Sequence, residues 1–144
     1  MPSTPDQPDH PDDDSLGESF WSVARQLRHR SMQTLAPFGI TPGQNRAISV
    51  LLRHGPMRLG DLAEHLHIAP RSATEVADAL EERGLIARSP DPADRRATVI
   101  TLTTGGEHLG AQVRQARSAE ADAFFSTLSP EDREALTRIL RSLR

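Results

Sequence analysis

From Ser15 onward, apolar side chains recur at helical spacing. Leu16, Phe20, Val23 and Leu27, then Leu35, keep the 3.6-residue period to about Ala36, where Pro37 and Gly39 interrupt it. Thr41-Pro42-Gly43-Gln44 supplies an N-cap, a proline at the first helical position and a capping-box partner. The second helix this predicts turns Ala47, Ile48, Leu51 and Leu52 inward and ends near His54-Gly55-Pro56. A short third helix fits Arg58–Leu66, and after a tight corner at His67–Ala69, Pro70 opens a fourth that runs to Arg83, with Gly84 as its C-cap. The pattern then shortens. Leu85–Arg88 and Ala97–Thr103 read as two strands around the turn-rich stretch Ser89–Arg96. Leu109, Val113, Ala116, Ala123 and Phe124 mark a long helix from about Thr104 to Ser126. Ser129-Pro130-Glu131-Asp132 caps a last one with Leu136, Ile139, Leu140 and Leu143 as its stripe.

Short helix, corner, longer helix, glycine and hairpin, in that order, predict a mainly α fold with a small β-hairpin. This is a winged helix-turn-helix flanked by N- and C-terminal helices. The expected organisation is a tail over residues 1–14 and a single domain over 15–144. The winged part lies at about 56–103, between flanking helices at about 15–36 and 104–144.

Charge sharpens this picture because it is uneven. The 144 residues carry 17 basic side chains, all arginine, against 20 acids, for a net charge of −3. Residues 1–18 hold six of the acids and no arginine, so the remainder is +3. Residues 19–60 carry six arginines and no acid. Residues 1–14, with four prolines and five aspartates, lack the apolar surface to offset ordering entropy and are expected to be a disordered, solubilising tail. They do not resemble a signal peptide, and no apolar run approaches the ~18–20 residues of a membrane span, so the expected compartment is the cytoplasm. With no cysteine there are no disulfides, cysteine–zinc sites or thiol chemistry. With no lysine there is neither a Schiff base nor the usual Gly–Lys phosphate loop.

In the fourth helix, Ala73, Val76, Ala77 and Leu80 fall on one side and face the core. The other side presents Arg71, Thr74, Glu75 and Asp78, with Ser72 at the flank. Arg71 suits a phosphate at a helix N-terminus, and Ser72, Thr74 and Glu75 suit base edges. Four acids against two arginines over residues 70–83 is an unusual balance for a helix that reads DNA. The hairpin partly answers this, since Arg95 and Arg96 sit at its tip and Arg88 on the incoming strand. Arginine forks suit phosphates and narrow minor grooves. Asp94 fits there by orienting a neighbouring arginine through a bidentate pair; the same Asp-Arg-Arg also reads as a solvated turn. Arg58, where the third helix begins, completes the set of expected phosphate contacts.

Residues 15–144 resemble the MarR family of bacterial transcriptional regulators. The resemblance rests on Leu35–Gln44, Leu62-Ala63-Glu64-His65-Leu66, Leu80–Ile86 and above all Asp91–Thr103, which is similar to the family's wing signature. It implies an obligate homodimer in which the first, fifth and sixth helices intertwine, and pseudo-palindromic double-stranded operators. It also implies that Arg96 enters the minor groove with Asp94 holding it, and that the protein is a repressor released by a small, often aromatic anion. The apolar stripes at both chain ends agree with a dimer, since a partner is the natural place to bury them. The resemblance places Arg25, Arg28 and His29 near where family pockets open. Trp21 is expected in the core, in the dimer interface or against an effector. Glu75 departs from the base- or phosphate-contacting residue many relatives carry there.

No cofactor is expected. His65 and His67 lie two residues apart with no third ligand close in sequence, and exposed helix-end histidines are the reading preferred to a metal site. No hydrolase elbow or phosphate loop supports an enzyme. The alternative is a winged helix that serves as a protein-interaction module without reading DNA.

Overall fold

Helices begin here where side chains accept the first free N–H groups. Ser15 accepts from the Glu18 N–H (3.2 Å), Thr41 forms the full capping box with Gln44, and Ser129 accepts from the Asp132 N–H (3.1 Å). The Thr103 hydroxyl accepts from the Gly106 N–H (3.0 Å) and donates to the Gly84 carbonyl (2.6 Å), which fastens the start of one helix to the end of another. In this computed structural model, which describes residues 15–144, the elements are α1 (Leu16–Gln33), a 3₁₀ turn (Ala36–Phe38), α2 (Pro42–His54), β1 (Met57–Arg58), α3 (Leu59–Leu66), α4 (Pro70–Glu82), β2 (Ile86–Pro90), β3 (Thr98–Leu102), α5 (Thr104–Phe124), a second 3₁₀ turn (Phe125–Thr127) and α6 (Pro130–Ser142). The tail expected at 1–14 lies outside the described residues.

The architecture is the expected winged helix-turn-helix, with one strand more than the hydrophobic pattern predicts. Met57 and Arg58 pair antiparallel with Ile100 and Val99, so the sheet has three strands in the order β1-β3-β2 and β3 is central. Two residues are too few to show alternation, which is why β1 reads as the start of a helix in the sequence. α1 also stops earlier than expected, at Gln33; Leu35 leaves the helix and is buried in the connector.

Ile48, Leu51, Leu62, Leu66, Ala77, Leu80, Ile86, Ile100 and Val113 form the core where α2–α5 and the sheet meet. α5 enters this core by close approach. A Cβ on Gly106 would lie 2.0 Å from the Leu85 carbonyl oxygen, so only glycine fits. Gly84, with φ +70°, makes the reversal from α4 into β2. α1 and α6 bury no residue. Phe20, Trp21, Val23, Ile139 and Leu143 stay exposed, Leu143 at 77%. Among the described residues no helix is long and apolar enough to cross a membrane.

Candidate nucleic-acid interface

α4 buries Ala73, Ala77 and Leu80, which turns the face between them and solvent outward. No side chain caps its first turn, so the leading N–H groups are without a side-chain partner. Arg71 is 92% exposed and pairs only loosely with Glu75 one turn on (3.7 Å). Ser72 is exposed. Thr74 is half-buried, and its hydroxyl donates back to the Pro70 carbonyl (3.1 Å), so that proton is used within the helix rather than offered outward.

The acids of α4 have an explanation that sequence alone withheld. Arg88 on β2 forms an ion pair with Asp78 (Nη2 to Oδ1, 2.6 Å) and a looser one with Glu81 (Nη1 to Oε2, 3.7 Å), its side chain only 25% exposed. β2 lies beside the second half of α4, so this guanidinium meets carboxylates before it can meet a phosphate. Arg88, expected on phosphate, thus braces the wing against α4.

The wing turn is built around two aspartates. Asp91 accepts from the Ala93 N–H (2.9 Å) and from Arg58 Nε (2.7 Å). The first of these bonds, then the second, holds the Asp91 carboxyl below its ordinary pKa. The hydrogen bond to Asp91 in turn raises Arg58. Arg58, expected on phosphate, therefore latches the wing root to the start of α3. Asp94 accepts from the Arg96 backbone N–H (3.0 Å), so it orders Arg96 through the main chain rather than by the bidentate guanidinium pair expected. The side chains of Arg95 and Arg96 are exposed, with neither a hydrogen bond nor an ion pair among the described residues. The Asp91-Pro92 turn signal was present in the sequence, but its partner 33 residues away was not.

The residues expected around an effector separate. Arg28 lines a cavity of about 360 Å³ among α1, α2 and α5, together with Ser31, Leu35, Asn45, Arg46 and Arg117. Trp21 is 62% exposed and stands edge-on to Phe20 (5.8 Å). Arg25 and His29 are exposed on α1, with His29 paired to Gln33 (3.1 Å), and none of these three lines the cavity. α1 turns its positions in different directions, and only Arg28 falls on the side facing α2. Asn45, Arg46 and Arg117 belong to the cavity and were missed, since no local pattern marks them. His65 stacks on His54 (4.4 Å), and among the described residues no cluster of three potential ligands is placed to hold a metal ion.

A family model described as the MarR family matches residues 40–98. The chain is 28% identical over 114 residues to the HTH-type transcriptional repressor MdtR of Bacillus subtilis, an alignment spanning 79% of this chain and 74% of that one. It is 31% identical over 117 residues to the HTH-type transcriptional regulator MhqR of the same organism, spanning 81% of each. Among solved structures it is similar to MepR, a transcription regulator of the Staphylococcus aureus multidrug efflux pump MepA. The TM-score is 0.81 at 26% identity, covering 91% of this chain and all of that one (100%).

Proposed function

The chain belongs to the MarR family of DNA-binding transcriptional regulators, and from that premise we propose that it is a homodimeric repressor of a pseudo-palindromic operator, released when a small anion binds among α1, α2 and α5. The observation that carries the DNA-reading part is the division of labour among the arginines of one face. Arg58 and Arg88 are spent on holding the wing. Arg95 and Arg96 at its tip, and Arg71 at the open start of α4, have no strong partner and face outward. Arg96 enters the minor groove, Arg71 and Arg95 meet phosphates, and Ser72 and Glu75 face base edges in the major groove.

The exposed apolar side chains of α1 and α6 support the dimer, with the segments 15–36 and 104–144 as its interface and 56–103 as the reading part. Two such faces would lie roughly one DNA turn apart, ~34–36 Å. Arginines in a cavity without an acidic lining residue support an anionic effector. The protein-interaction alternative drew its support from the acids of α4, two of which Arg88 occupies. The test is selection of bound duplexes from a random pool. A two-fold symmetric motif is expected, and a pool that stays unenriched overturns the reading.

A further inference from the structure

The cavity among α1, α2 and α5 and the corner between α3 and α4 share one side chain. Arg46 stands on α2 and is one of the residues that line the 360 Å³ cavity. Its guanidinium donates from Nη2 to the Leu66 carbonyl at 2.7 Å. Leu66 is the last residue of α3. His67 follows in the left-handed region (φ +53°), its N–H returning to the Ala63 and Glu64 carbonyls, and the Ile68 N–H also returns to Ala63. Those bonds satisfy two of the carbonyls a helix end leaves open, and the carbonyl of Leu66 takes Arg46 instead. Pro70 then begins α4, so this contact, beside the turn's own bonds and the packing of Ile68 on the core, helps set where the first turn of α4 points.

A neutral carbonyl is a weaker competitor for a guanidinium than a carboxylate or phosphate, which brings a full opposite charge and two oxygens that match the guanidinium fork. The cavity invites such an anion. Arg28, Arg46 and Arg117 line it, and an adjoining cavity of about 210 Å³ adds Arg53 and Arg114; neither has an acidic lining residue. Asn45 lines both and is 6% exposed, the one buried polar residue among the described residues.

We propose that Arg46 is the positioning residue through which an anion in this cavity acts on α4. The anion draws the guanidinium off the Leu66 carbonyl, the corner loses its tether, and the first turn of α4 leaves the alignment that DNA requires. This rests on the effector-responsive regulator proposed above and supplies its transmitting contact. Arg83 provides the contrast. It donates to the Gly39 (2.7 Å) and Phe38 (3.0 Å) carbonyls, tying the far end of α4 to the α1–α2 connector, and it does not line the cavity.

The experiment measures binding of the full-length protein to its selected duplex, with sodium benzoate and, separately, inorganic phosphate as probes at constant ionic strength. The wild-type protein is expected to lose affinity as at least one anion rises. Arg46→Ala should bind about tenfold more weakly without the anion and lose nothing further when it is added. Arg46→Lys, which keeps a cationic donor, should restore the response, and Arg83→Ala should keep it. The slope of log affinity against log salt should stay at the wild-type value for Arg46→Ala, because Arg46 touches no phosphate; a slope lower by about one overturns the proposal. A retained response in Arg46→Ala overturns the role of Arg46 and leaves the effector reading standing. A wild-type protein indifferent to both anions removes the effector reading and this inference with it. Should Arg46→Ala not fold, amide exchange at His67 and Ile68 in the wild-type protein decides: faster exchange with the anion supports the tether, and unchanged exchange overturns it.

Discussion

At the wing tip, Arg95 and Arg96 differ from the surrounding arginines in lacking an acidic partner, and that decides what substitution does. Arg96→Ala removes the proposed groove contact and no fold contact. Its affinity should fall for every duplex, the salt slope should drop by about one, and stability should stay within about 0.5 kcal/mol. Unchanged binding in an anisotropy titration would falsify the wing assignment. Asp91 behaves oppositely, as a fold contact behind the groove. Its carboxyl lies below its ordinary pKa, so the latch is complete above the unfolded-state value of about 3.9 and is lost as pH falls through the lower folded-state value. The raised Arg58 stays charged across that whole range. Asp91→Asn should therefore speed amide exchange at Ala93 at neutral pH, where wild type stays protected. Equal exchange in the two proteins would remove the latch. Which residues face outward was legible locally, from the period of α4 and the turn residues of the wing. Which arginines are occupied was not, because the partners of Arg46, Arg58 and Arg88 come from other elements.

At the scale of elements, α1 and α6 are amphipathic helices whose apolar stripes bury no residue among the described residues of one chain. Phe20 is 50% exposed, and Ile139 and Leu140 are exposed beside it in kind. Burying such side chains is worth roughly 1.5–3 kcal/mol each, which a second copy can supply. Placing charges there, as in Ile139→Asp with Leu140→Asp, should give a monomer by sedimentation. Duplex affinity should fall by about 10²-fold or more as the two linked half-site contacts are lost. A variant that still sediments as a dimer would move the interface elsewhere. The stripes themselves were readable from spacing alone. The third strand was not, since Met57 and Arg58 become a strand only because β3 offers them an edge.

Over the whole molecule, the net charge of −3 misleads because acids and arginines are segregated. Residues 1–14 carry five aspartates beside a body with surplus arginine. Their deletion should tighten binding to a non-specific duplex at low salt, and unchanged affinity would leave the tail no electrostatic part. The helices, their caps, the corner at His67–Ala69, the wing and the exposed apolar stripes are all written in the order of residues. Each of these depends on residues within a few positions of one another, where period and turn chemistry act. Packing alone brings Arg88 to Asp78 and Glu81 of α4, latches Asp91 to Arg58, and sets Arg46 at a cavity and a helix end at once. A guanidinium on a long, flexible stem takes whichever acceptor the packed fold brings within reach, and sequence spacing does not encode that reach.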